Sequence, residues 1–227
     1  MIFRLIAAIS IVCVSRVQGA HRLNNIRLNS ITHDTDISKL ESMVLNLDEI
    51  SNFVPGLRMV NEGILTNRQL AESGFHGDTE DYFSNQGRKT GFMREFGINS
   101  RDKMYDGDDF VVGCVAHSFD NDRNVNDWME KVFLKRFIDR IGELIGINQK
   151  LVDVKEMLSE HFFDHSLAVN LIEEGPEGEV SFTIIDFKIG TLLGVCFVGT
   201  KGTYSRMELC EQIGLALEQK MVTSLLG

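Results

Sequence analysis

The spacing of apolar side chains is the feature that most limits what this chain can fold into. Five segments place apolar, β-branched or aromatic residues at every second position, which is typical of β-strands. These are residues 88–96, 109–119, 167–172, 180–187 and 192–199. Two longer segments, 124–145 and 204–225, place apolar residues at every third or fourth position, which predicts amphipathic helices.

The order of these elements predicts the fold class. A short strand at 57–60 and a helical turn at 67–73, capped by Thr66, come first. Two strands then precede the first long helix, and three hairpin-connected strands precede the second. Consecutive strands joined by hairpins favour antiparallel pairing over a parallel, doubly wound sheet. We therefore expect an α+β domain in which an antiparallel sheet of about five to six strands is packed by two long helices.

The N-terminal residues predict export. Arg4 precedes an apolar run at 5–14, and Val17 and Gly19 suit the −3 and −1 positions of a cleavage site. Ten apolar residues are too few to span a bilayer. We therefore predict a signal peptide at 1–19, a flexible tether at 20–45 that ends in a short helix, and a single domain at 46–227. The predicted location is secreted or periplasmic, without a stable membrane span after cleavage.

The charge balance excludes some partners. The chain has 33 acidic and 23 basic residues, for a net charge of −10. Such a chain repels phosphates and anionic membrane surfaces, so nucleic acid is not an expected partner. The remaining partners are an unknown protein or a small-molecule ligand.

Residue alternation makes further predictions for the segment 109–119. It places Val115 and His117 on one face of the strand, and Cys114 and Ala116 on the other. We interpret His117 as a histidine satisfied by a hydrogen bond, with a ligand role as the alternative. Cys114 is a buried hydrophobic residue, or forms a disulfide with Cys196 if their strands are neighbours.

The segment 159–166, SEHFFDHS, resembles the histidine patterns of zinc hydrolases. Such a site needs both histidines on one face of a helix and a carboxylate beside them. Here Asp164 is one methylene shorter than the usual glutamate, and a strand begins almost at once. We favour a turn, and a zinc-dependent hydrolase that uses His161 and His165 remains the alternative.

Acidic clusters do not complete a known motif. Counted from Asp120, a calcium-binding EF-hand loop would need Gly and Glu where the chain has Val125 and Lys131. The glutamates of the 173–179 hairpin are interpreted as a solvated turn. No nucleophile elbow or phosphate-binding loop is present in the sequence. We therefore assign no catalytic, cofactor-binding or metal-binding residue, expect no cofactor, and do not predict an enzyme.

Several phrases carry a resemblance to a known family. They are LTNRQLAES, NQGRKTGFMREF, a strand that ends in FDND before a long helix, FFDHSLAVNL and SFTIIDFKIGTLLGVCFVG. In this order they resemble small exported bacterial domains with the PsbP-like α/β sandwich fold, over residues 50–225. The resemblance implies an accessory, sensor or binding role without catalysis.

The functional hypothesis is thus an exported, non-catalytic binding or accessory domain of unknown partner. The alternative is a carrier of an apolar small molecule, held in a cavity between the sheet and the helix of 124–145. The 15 Phe and 9 Met residues of the chain would suit such an adaptable pocket.

Overall fold

The computed structural model describes residues 31–99, 104–146, 148–159 and 161–226. The predicted signal peptide and the first part of the predicted tether lie outside the described residues. The strands are β1 Arg58–Leu65, β2 Arg88–Gly97, β3 Asp109–Phe119, β4 Leu144–Ile145, β5 Gln149–Met157, β6 Ser166–Gly175, β7 Gly178–Ile189 and β8 Leu192–Lys201. The α-helices are α1 Ile37–Met43, α2 Leu47–Ser51, α3 Asn67–Ser73, α4 Glu80–Asn85, α5 Asp122–Asp127, α6 Arg136–Asp139 and α7 Met207–Leu226. A π-helix, Trp128–Lys135, joins α5 to α6, and we call it the π segment.

One antiparallel sheet organises the described part of the chain. Its eight strands follow the order β1-β2-β3-β8-β7-β6-β5-β4, and the sheet curls into a half-barrel. In the centre, β8 pairs with β3 on one side and with β7 on the other. Val195 of β8 therefore lies between Val115 and Asp186.

The predicted fold class was wrong. The sheet has eight strands instead of five or six, and it is not packed by two long helices. Within the described ranges, α7 is the only long regular helix, with 20 residues. The segment predicted as one helix at 124–145 is divided into α5, the π segment and α6, followed by the short strand β4.

A glycine ends the helical segment before the predicted point. Gly142 adopts a φ of 97°, which is the left-handed region that favours glycine. Its N–H donates to the carbonyl of Leu151 in β5, at 2.8 Å. The chain therefore leaves the helix at this point, and Leu144 and Ile145 join the sheet edge.

The first face of the sheet packs against α7 and α1. The buried side of α7 includes Cys210, Ile213 and Leu217, at the spacing that the sequence predicted. These residues contact inward side chains of β3 and β8 such as Cys114 and Cys196. Helix α1 lies within the predicted tether, yet Leu40 and Met43 are fully buried in this core cluster.

The second face of the sheet is covered by α3 to α6 and the π segment. Its apolar side chains form two clusters instead of one continuous core. One cluster contains Phe83, Phe119 and Trp128. The other contains Phe75 and Phe133. The space between these clusters is the candidate site.

Within the described residues, no helix combines the length and the apolar character needed to cross a bilayer.

Candidate ligand cavity

A cavity of about 270 Å³ lies between the second face of the sheet and its helical cover. The sheet contributes Val115, Val195 and Phe197, and the cover contributes Trp128 and Phe133. Most of the wall is apolar. Protein interiors normally leave few voids larger than a water molecule, so a space of this size on a core face calls for a functional explanation.

One glycine shapes the sheet side of the wall. Gly113 of β3 lies opposite Phe197 of β8. A Cβ atom at Gly113 would lie 2.1 Å from the Phe197 ring. Only a residue without a side chain therefore lets this ring lie flat across β3, where it lines the cavity.

The wall contains a buried carboxyl group. Asp186 lies in the middle of β7 and is 2% exposed. Its Oδ1 atom is buried and has no hydrogen-bond partner among the described residues. Burial raises the pKa of Asp186 well above its usual range, because an apolar environment disfavours the charged form. An unsatisfied buried polar atom costs stability, and it is the group in this wall that most needs a partner.

A second polar group, His117, is held by a buried arginine. Arg88 of β2 donates from Nε to His117 Nδ1 at 3.1 Å, and its Nη2 lies 2.9 Å from the same atom. The guanidinium also donates to Asn67 Oδ1 at 2.5 Å and to the Leu65 carbonyl at 2.7 Å. His117 therefore has the hydrogen bond that the sequence predicted. Because its Nδ1 accepts, the neutral ring carries its proton on Nε2.

The electrostatics of this pair follow from burial. Arg88 is 2% exposed, and within the described part of the chain its partners are neutral acceptors. Burial lowers the pKa of Arg88 to about 9. Burial, and then the charge of Arg88, lower the pKa of His117 well below its usual value. At neutral pH the cavity wall thus holds a neutral imidazole with a guanidinium behind it.

Room for this pair comes from Gly91 on β2. A Cβ atom there would lie 2.6 Å from His117 Nδ1 and 2.8 Å from Arg88 Nη2. The absence of a side chain at Gly91 therefore leaves the space that Arg88 and His117 occupy. We call the polar side chains at the cavity the polar wall: Asp186, His117 with Arg88 behind it, and Arg136.

Arg136 of α6 forms the helical side of the polar wall. It pairs with Asp78, and the Arg136 and Asp78 side chains are 11% and 3% exposed. The guanidinium stacks on Phe75, 4.7 Å from the ring centroid, and on Phe83, at 5.4 Å. Its Nε atom has no hydrogen-bond partner among the described residues. Burial lowers the pKa of Arg136, which Asp78 partly opposes.

The residues considered for zinc do not meet. His161 and His165 lie in an irregular segment and are exposed. His161 Nδ1 lies 2.9 Å from Glu211, and Asp164 pairs with Lys188 at 3.9 Å. Without a helix at this point, the two histidines cannot share one helix face. In the described ranges no three His, Cys, Asp or Glu side chains group as metal ligands would.

The acidic side chains make structural contacts. Asn121, one residue after Asp120, caps α5 by accepting from the Asn124 N–H at 3.0 Å. Asp109, at the start of β3, pairs with Arg206 at 2.7 Å. The hairpin glutamates were interpreted as solvated, but Glu173 is 7% exposed.

The three cysteines within the described ranges, Cys114, Cys196 and Cys210, are free and buried. Cys114 and Cys196 are directly opposed on neighbouring strands, which meets the condition set for a disulfide. The sulfur nearest to Cys196 is nevertheless that of Cys210, with 3.6 Å between the two Sγ atoms. Neither pair is bonded.

The sequence interpretation missed Asp186 and Arg88. A signal for Asp186 existed, because period-two alternation in IIDFK places it on the same face as Ile184. The same alternation places Lys188 on this face, and charged residues at inward positions of a buried strand are expensive and mark a candidate site.

Comparisons with known proteins identify the fold alone. No protein-family model and no curated protein matches this sequence. Among solved structures, the chain is similar to the extracellular domain of PknH from Mycobacterium tuberculosis. The TM-score is 0.57 and the identity 11%, over 84% of this chain and 99% of that one. An uncharacterized protein from Mycobacterium smegmatis, the Rv0999 ortholog, matches with a TM-score of 0.42 and 10% identity, over 82% and 98% of the two chains. Neither is described as a PsbP-like domain, and that resemblance stays a prediction.

Proposed function

We propose that this chain is a non-catalytic binding domain whose cavity holds a small, largely apolar molecule. The observation that carries the proposal is the unfilled space of about 270 Å³ with an unpartnered Asp186 carboxyl in its wall. Known ligand sites are mostly apolar, contain a few placed polar groups and measure roughly 300–1,000 Å³. A volume just below that range suits a small ligand.

The location of the cavity supports a binding role. It lies between a sheet whose strands are fixed on both sides and a helical cover made of short pieces. A polar depression on the outer surface shares Gly74 and Phe75 with the cavity. Gly74 and Phe75 therefore lie between the cavity and this depression, and we propose that a ligand exchanges there.

The signal-peptide pattern at 1–19 supports a function outside the cytoplasm. The similarity in fold to an extracellular domain agrees with that placement.

Binding of a simple apolar probe tests the proposal. Trp128 is the single tryptophan of the chain and lines the cavity, so its fluorescence reports on a bound molecule. Titration of the purified protein with toluene is expected to change Trp128 emission at saturation and to raise the melting temperature.

A variant whose cavity is filled by a larger side chain should bind toluene more weakly than a variant changed at the surface. Val195→Phe should weaken toluene binding about tenfold or more, because the new ring occupies the space. The matched control is Val152→Phe, a substitution at an exposed position of β5. Absence of toluene binding, or equal binding by the two variants, would refute a cavity-bound ligand.

A further inference from the structure

We propose that the molecule bound in this cavity carries a neutral hydroxyl group that hydrogen-bonds to Asp186. The inference rests on the proposed function and names the class of ligand, a small alcohol or phenol with an apolar body. Its basis is geometric: Asp186 lines the cavity, is 2% exposed, and has an Oδ1 atom without a partner among the described residues.

The register of the sheet explains why Asp186 Oδ1 has no hydrogen-bond partner in the part of the chain that the structure describes. Its cross-strand neighbours are Leu167 on β6 and Val195 on β8. Neither side chain can donate or accept a hydrogen bond. The two neighbours on the same face of its own strand are Ile184, which is apolar, and Lys188, which pairs with Asp164 at 3.9 Å. The group able to satisfy Asp186 must therefore enter through the cavity.

The surrounding charges favour a neutral ligand over an ammonium ion. Arg136 lines the same cavity, and Arg88 lies behind His117 with neutral acceptors around it. The charge of Arg136 is compensated by Asp78, whereas the charge of Arg88 is not compensated by its described partners and opposes the arrival of another cation. Moving an ammonium ion into a largely apolar space costs several kcal/mol of hydration as well.

A hydroxyl group fits both forms of the carboxyl group. It donates to a carboxylate or carbonyl oxygen, and it accepts from a protonated carboxyl. The raised pKa of Asp186 favours the protonated form in the empty cavity. The same hydroxyl therefore satisfies Asp186 whichever form is present, whereas a purely apolar ligand leaves Oδ1 unpaired.

The test compares toluene with para-cresol, which adds only a hydroxyl. Wild-type protein is expected to bind para-cresol about tenfold more tightly, since one buried hydrogen bond contributes about that factor. Asp186→Leu should reduce this preference to about one. Asp186→Asn keeps an acceptor and a donor, so it should keep most of the preference.

Folding of the variants does not limit the test. Asp186→Leu removes an unpartnered polar group, and its melting temperature should not fall by more than a few degrees. Asp153→Leu replaces an exposed aspartate on β5, and it serves as the control that should retain the wild-type preference. Calorimetric titration gives the dissociation constants.

The outcomes separate the two proposals. If neither probe binds, both the cavity function and the hydroxyl inference are wrong. If both probes bind equally in wild type, or if Asp186→Leu keeps the preference, the cavity binds ligands but Asp186 does not select them. If benzylamine binds more tightly than para-cresol, the cavity selects a cation instead of a neutral hydroxyl group, and the inference is wrong.

Discussion

Replacement of Glu173 by glutamine should stabilise the protein at alkaline pH and have little effect at acid pH. Glu173 lies on β6 and is 7% exposed. Burial raises its pKa from 4.5 to about 7. Each factor of ten in proton affinity corresponds to about 1.4 kcal/mol, so the ionised side chain costs the folded state about 3 kcal/mol above pH 7.

The sign follows from proton binding. Between pH 4.5 and 7 the folded state holds the Glu173 proton and the unfolded state releases it. Stability therefore falls as the pH rises through this window and stays low above it. Glutamine has a similar shape and no proton to lose, so Glu173→Gln removes this loss.

Urea denaturation of wild type and Glu173→Gln at pH 4 and pH 8 measures the effect. The two proteins should differ little at pH 4, and the variant should be more stable by about 3 kcal/mol at pH 8. Glu174→Gln, at the exposed neighbouring position, is the control that should change stability little. A difference that is the same at both pH values would refute the assignment of this titration to Glu173.

Three further predictions concern the polar wall and the core. Arg88→Lys should destabilise the protein by about 2 kcal/mol in urea denaturation, because one ammonium group cannot reproduce the fork that reaches His117, Asn67 and Leu65. An Arg88→Lys variant as stable as wild type would contradict this prediction. Gly91→Ala should lower the free energy of unfolding by about 2 kcal/mol, because the new methyl group collides with His117 and Arg88. Gly97→Ala on the same strand should lower it clearly less, because the nearest atom there is a Val60 methyl group at 3.2 Å. Cys114 and Cys196, whose pKa values are raised by burial, should react with a thiol reagent only as fast as the protein opens, and fast reaction under native conditions would contradict their burial.

The strands that the sequence predicted well are those with strong local signals. Residues 109–119 were predicted as a strand, and β3 has these bounds. β2 differs from its prediction by one residue. Helix α3 begins after Thr66, which forms a capping box with Gln69. In these segments the β-branched and aromatic side chains or the cap give a local signal that agrees with the tertiary pairing.

Strand β5 could not be predicted because its signal is polar and irregular. The segment QKLVDVKEM buries only Leu151 fully. A bulge between Leu151 and Asp153 interrupts the alternation, so no period of two extends through the segment. Its conformation depends on pairing with β6, which is a tertiary contact.

The carrier hypothesis placed a cavity between the sheet and the helix of 124–145, but the division of that helix into α5, the π segment and α6 could not be predicted from the spacing of its apolar residues. In an α-helix, residues five apart lie about 140° apart around the axis, at about 100° per residue. Trp128 and Phe133 would then face different directions, and one of them would leave the sheet. The π segment forms hydrogen bonds between residues five apart, so its turn is wider and Trp128 and Phe133 point in more similar directions than they would in an α-helix. Both side chains line the cavity.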